Sequence, residues 1–311
     1  MRLLLAVPMF ILSEKYVDKR ILIIISQFLK NGMVNENNHN QFEQILQKFQ
    51  RIAKKKRSEI VIILLVVVYG SFRLVFNNFN ITSWIFPFES NEHKLSWAGY
   101  WLVFISLPVF QFLIIRWMWR WILWLRLLLA ISKSGILIFP PHPDKAGGLG
   151  FLGERPLVFG SFSLVLGVVY ASILVNRILY LDFTLDQQIP FLIAFAAFSL
   201  IINIVPLIFF SELMRQTRLK YLHYYNSLGV DFIKDFEEKW LYQKKEKTES
   251  TAQQGLTLNL HYNNIYEMKT FPFDLKSMLA SVILTILPLV PLLLFYIPFK
   301  ELLEFTFGML F

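Results

Sequence analysis

Five apolar stretches, each long enough to cross a lipid bilayer, constrain this chain more than any other feature: residues 60–76, 98–115, 157–176, 190–210 and 277–299. A hydrocarbon core about 30 Å thick takes roughly 20 residues of helix. The apolar residues run continuously instead of alternating, and a backbone in lipid must satisfy its own polar groups, so each stretch reads as a membrane helix. Only the first carries a charge, Arg73, close enough to one end for the side chain to snorkel. Composition agrees: with 55% hydrophobic and 17% charged residues, the chain is not a soluble nucleotide-binding enzyme, a disordered tail or a secreted disulfide scaffold. The lack of cysteine excludes disulfides, thiolate-held zinc, iron–sulfur clusters and thiol catalysis. The apolar run at 3–13 is too short to span and has no signal-peptide cleavage site. Residues 1–13 are expected to form an N-terminal half-span leaning on the bundle, or to be the remnant of a longer N-terminus.

Basic residues are unevenly placed. Segments 14–59, 116–156 and 211–276 hold ten, six and ten Lys or Arg, twenty-six of the thirty-one in the chain, while the alternate connections are nearly bare. The positive-inside rule makes the basic side cytoplasmic, so the net charge of +9 reflects topology and gives no reason to expect a nucleic-acid partner.

Between the spans, residues 14–59 are expected to fold as an amphipathic helical hairpin. One helix lies near 16–29, a break follows at 35–40, and Phe42, Ile45, Leu46, Phe49 and Ile52 then recur at three and four residues before Lys54-Lys55-Lys56-Arg57 ends the second helix. A basic-ended apolar stripe suits the inner leaflet and its anionic lipids; a hairpin that docks a partner is the alternative. The second span continues to residue 131 as RWMWRWILWLRLLLAI, with Arg116, Arg120 and Arg126 on one arc and Trp117, Trp121 and Trp124 on the next. An aromatic belt with snorkelling arginines accounts for this pattern, and so does an arginine-lined surface for a phosphate-bearing lipid. Residues 211–240 read as a helix. Residues 242–270 read as a flexible linker with a short strand at 256–262 (LTLNLHY).

Residues 138–156, IFPPHPDKAGGLGFLGERP, concentrate four of the thirteen Gly and four of the thirteen Pro directly before a span. Gly148, Gly150 and Gly153 satisfy GxGxxG, but no strand precedes them and a membrane helix follows, against a dinucleotide site. His142-Pro143-Asp144-Lys145 matches the HPDK of J-domain co-chaperones without the flanking helices of that bundle. His142 and Asp144 are candidates for an acid–base pair, but no third ligand lies close enough in sequence to suggest a metal. The device the loop does offer is a run of backbone N–H groups at Gly147, Gly148 and Gly150, flanked by Lys145 and Arg155, before a helix expected to begin near Leu157. Such a run suits an anion. The alternative is a rigid connecting loop that His142 and Asp144 cap and brace.

The run HPDKAGGLGFL, preceded by an Arg- and Trp-rich helix and by the N-terminal RLLLAVPMFILSEKYVDKR, resembles a family of uncharacterised bacterial multipass inner-membrane proteins. The resemblance covers most of the chain, and the loop is its specific part. It implies fold and location, not a reaction, and a family N-terminus longer than this one.

The reading that follows is an all-α polytopic membrane bundle of five full spans plus an N-terminal half-span, with amphipathic cytoplasmic helices. Residues 14–59 form the hairpin and 60–210 a four-span core with the loop at 132–156. Residues 211–275 hold the cytoplasmic helix and linker, and 276–311 the last span and an outer tail. No acidic or His side chain falls at mid-span, which lowers the prospect of coupled transport. The expected function is that of a non-enzymatic, oligomeric, channel-like or lipid- and anion-interacting protein of the bacterial inner membrane, without cofactor or metal. Phospholipid is its partner, held by Lys145, Gly147, Gly148, Gly150, Arg155, Arg116 and Arg120. The alternative is a membrane-bound enzyme acting on a lipid headgroup or phosphoester, with His142 as acid or base, Asp144 orienting it, and the basic residues stabilising phosphate.

Overall fold

A computed structural model describes residues 2–76, 96–154, 158–181, 185–238, 249–273 and 275–295. Among the described residues all regular structure is helical. Four helices are long and apolar enough to cross a membrane: Trp97–Ser132, Gly160–Ile178, Gln187–Ile208 and Leu275–Leu292. They coincide with the second to fifth expected spans. The first expected span falls in α3 (Lys56–Phe76), whose Ile60, Val61, Ile63, Leu64, Leu65, Val67 and Val68 are all exposed. Water would penalise so continuous an apolar surface, whereas lipid does not.

The chain opens with a π-helical turn (Arg2–Ala6) that runs directly into α1 (Val7–Lys30). This corrects the expected boundary at residue 13: no break separates a half-span from the hairpin. Glu14 and Asp18, just past the apolar run, find partners on another helix, while Phe10, Val17 and Ile24 recur every seven residues on the buried face. The turn after α1 ends at Asn35, and α2 (Glu36–Ala53) already includes residues 36–40. Asn35 sits at that helix's N-cap with extended backbone angles, so the Asn-rich run starts a helix where a break was expected.

Helix α4 (Trp97–Trp101) passes through a π-helical turn into α5 (Leu107–Ser132), making one rod of 36 residues. At about 1.5 Å per residue it is roughly 54 Å long, about 1.8 times a bilayer core of about 30 Å. Its far half, rich in Trp, forms the centre of the core. Trp117 stacks on Phe162 of α7 (Gly160–Leu181) with centroids 5.2 Å apart, and Phe10 of α1 packs against both. The indole N–H of Trp121 donates to the Ile202 carbonyl of α8 (Leu185–Ile208) at 2.7 Å.

Helix α11 (Leu275–Ile286) carries Ser277, Ser281 and Thr285 on one buried stripe. A Cβ on Gly167 would lie 2.4 Å from the Thr285 carbonyl, so α7 and α11 meet through a residue that only glycine satisfies. Between them Asn203 of α8 donates to the Ser163 and Ser281 hydroxyls at 3.1 and 3.0 Å, and Ser199 shares a hydrogen bond with Thr285 at 2.5 Å. This polar knot joins three of the spanning helices.

Residues 239–248, where the expected linker begins, lie outside the described residues; after α9 (Ser211–Glu237), the later part of that linker and the expected strand are replaced by α10 (Glu249–Tyr266). Alternation in LTLNLHY is local, whereas Leu258, Tyr262 and Ile265 at helical spacing turn inward and Leu256 and Leu260 outward. Packing along α9 supplies the context that the low-propensity residues lack. Arg218 of α9 closes the end of α10 by donating to the Ile265 and Tyr266 carbonyls at 3.3 and 2.5 Å.

Candidate functional site

The glycine-rich loop leaves α5 at Lys133 and returns through the short helix α6 (Gly150–Glu154). Its backbone is bent by three positive φ angles in four residues, at Lys145 (53°), Gly147 (65°) and Gly148 (89°). At Gly147 any Cβ would lie 2.2 Å from the Ile138 methyl. Bending of this kind turns successive N–H groups inward, as an anion site requires. The anion they meet is the chain's own. The Asp144 carboxylate accepts from Ala146 N–H at 2.9 Å and Gly148 N–H at 3.1 Å through Oδ1, and from Gly150 N–H at 2.9 Å through Oδ2. The Gly148 and Gly150 amides assigned from sequence to a ligand are therefore already occupied. The composition of the loop is the composition of a nest, and of the two readings of it, an external anion or a brace by His142 and Asp144, the geometry matches the brace.

His142 completes the arrangement, with Nδ1 2.8 Å from Asp144 Oδ1. The Asp144 amide also lies 3.3 Å from the same nitrogen. One ring nitrogen cannot both accept from the amide and donate to the carboxylate, and the shorter contact is the stronger, so Nδ1 carries the proton. Burial pushes the Asp144 carboxyl up, but the three N–H donors and His142 outweigh it and hold the group below the ordinary aspartate value.

The loop also ties distant elements together. Asn264 donates to the Pro141 carbonyl at 3.0 Å, Lys269 N–H to the Lys145 carbonyl at 2.8 Å, and Leu137 N–H to the Met33 carbonyl at 2.7 Å. The Lys145 ammonium pairs with Glu267, so this expected ligand cation is engaged within the chain. Arg155 lies outside the described residues.

Arg116 and Arg120 lie on α5 apart from the loop, and the cleft they line includes none of its described residues. They occupy one end of a cleft of about 540 Å³ between α1, α2, α3 and α5. Its walls are apolar, with Ile21, Ile25, Leu46, Phe49, Trp124 and Leu127 among them, and its polar end is a chain of alternating charges. Glu14 Oε1 accepts from Arg116 at 2.7 Å and from Arg120 at 2.5 Å; Asp18 pairs with Arg120, and Glu59 lies 3.9 Å from Arg116. In order the chain runs Glu59, Arg116, Glu14, Arg120, Asp18. The arginines expected to face phosphate thus have carboxylate partners. Sequence reading missed those partners, yet a signal existed: Glu14 and Asp18 are spaced i, i+4, as are Arg116 and Arg120. Trp119 completes the lining, and its indole N–H is buried without a hydrogen-bond partner among the described residues.

Among the described residues no three His, Asp or Glu side chains gather as metal ligands. No family model, curated protein or solved structure matches the chain. Among the described residues two features offer chemistry to argue from, a self-filled nest and an amphipathic cleft.

Proposed function

We propose that this chain is a non-enzymatic, multipass protein of a bacterial inner membrane, its basic connections cytoplasmic, that holds a phospholipid in the cleft between α1, α2, α3 and α5. One observation carries the reading: apolar walls from four helices lead to a charged end, which is the polarity profile of a lipid and not of a polar metabolite. The volume falls within the roughly 300–1,000 Å³ of small-molecule sites. Position favours it as well. The cleft borders Lys54, the first of four consecutive basic residues, at the start of a helix whose exposed face is apolar.

The loop is not the seat of this activity. His142 and Asp144 form a pair, but Asp144 is committed to three amides, and the arginines that an enzyme would aim at phosphate lie in the cleft. Native mass spectrometry of detergent-purified protein tests the proposal and also reads the number of chains. The wild type is expected to retain phospholipid, and Ala53→Trp, which fills the cleft from α2, is expected to lose most of it with its thermal transition unchanged. Equal retention by both proteins would overturn the assignment.

A further inference from the structure

The polar end of the cleft carries more information than its being charged. Of the five groups in the alternating chain three are carboxylates and two are guanidiniums, and the two ends, Glu59 and Asp18, are both acidic. Those ends are the exposed members, with 50% and 58% of their side chains accessible, whereas Arg120 is 18% exposed and held between two carboxylates. A ligand bearing only negative charge would meet the two outer carboxylates first. A ligand bearing only positive charge would leave unused what lies between them. Each guanidinium has five N–H donors, and the pairs described engage one nitrogen of Arg116 and two of Arg120, so donors remain on both. The unpartnered Trp119 indole N–H is a further donor on the same wall.

Resting on the reading of the cleft as a lipid site, we infer that its occupant is a zwitterionic, amine-bearing phospholipid, with phosphate toward Arg116, Arg120 and Trp119 and ammonium toward Asp18 or Glu59. Phosphate and ammonium in one headgroup match donors flanked by acceptors, and such a headgroup adds no net charge to a partly buried network. Lys54 on the rim is solvent-exposed and stands outside the alternating chain, so it does not reverse this balance. A free phosphate shares the donor half of this chemistry but has nothing to offer the acidic ends or the apolar walls.

The test uses full-length protein in nanodiscs made from equal amounts of phosphatidylethanolamine and phosphatidylglycerol with identical acyl chains, followed by native mass spectrometry of the released protein. Wild type is expected to retain the ethanolamine lipid about threefold or more over the glycerol lipid, the preference one partly exposed ion pair supplies. Asp18→Asn together with Glu59→Gln is expected to erase that preference while still retaining lipid. If the double variant fails to fold, the two single variants, each expected to lose part of the preference, replace it. Inorganic phosphate added during release is expected to leave retention unchanged; displacement of lipid by phosphate would overturn the inference. Equal retention or a preference for the glycerol lipid, or a preference that survives both substitutions, also overturns it and leaves the lipid-site reading standing. Wild-type protein that retains neither lipid overturns both.

Discussion

Asp144 shows how a single side chain decides what a glycine-rich loop is for. Three amides that would cost about 1–3 kcal/mol each if buried unpaired are satisfied by one carboxylate six residues or fewer away. Asp144→Ala should therefore lower stability by about 3 kcal/mol, read as a fall in the thermal transition. Because its carboxyl is held below the ordinary aspartate value, the stabilisation is complete above that value and disappears as pH falls through the lowered one. Amide exchange at Ala146, Gly148 and Gly150, corrected for intrinsic rates, should show constant protection from about pH 5 to about pH 8, with loss only below about pH 4. Protection lost above about pH 5 would contradict this assignment. A second test concerns Lys145, a non-glycine residue at φ 53° whose ion pair is half-exposed. Its pair is worth about 0–1 kcal/mol and its left-handed backbone costs about 1, so Lys145→Gly should be about 1 kcal/mol more stable than Lys145→Ala. The loop's function as a turn was evident from its glycines, and a brace by His142 and Asp144 was one of the two readings its residues offered; spacing alone did not decide between that brace and an external anion.

Helices were read well where an apolar period dominated and poorly where charge or alternation competed with it. In α1 the short apolar run gives no sign that Glu14 and Asp18 continue the same helix, because their partners lie a hundred residues further along the chain, on α5. In α10 a two-residue alternation masked a helical stripe that only packing on α9 reveals. The central place of Glu14 gives a graded prediction. Glu14→Ala leaves two partly buried guanidiniums without their shared carboxylate and should cost about 2 kcal/mol. Glu59→Ala removes one 3.9 Å contact from a half-exposed side chain and should cost under about 0.5 kcal/mol. Thermal unfolding of the two variants side by side decides between a network centred on α1 and a set of independent surface pairs. Among the spanning helices, Asn203→Leu removes hydrogen bonds to α7 and α11 at once and should cost about 1 kcal/mol, the typical scale for interhelical bonds in lipid.

At the scale of the whole molecule, the sequence-level picture of a helical membrane bundle rests on hydropathy, which composition displays directly. What composition cannot display is which helices leave a gap between them. The cleft arises because α2 and α3 pack on α5 at a charged level where Arg116 and Arg120 meet α1, and none of these pairings has a local signature. The proposed sidedness rests on charge asymmetry and is testable apart from the cleft: a reporter fused after residue 90 should be external and one after residue 148 cytoplasmic.

The lipid itself is the most direct test. A cryo-electron microscopy map of the protein in nanodiscs should show density for one phospholipid among α1, α2, α3 and α5, its headgroup beside Arg116 and Arg120 and its tail along Ile21, Leu46 and Leu127. A map with the cleft closed by side chains, or with ordered lipid or anion at the amides of residues 146–150 in place of the Asp144 carboxylate, would contradict the account.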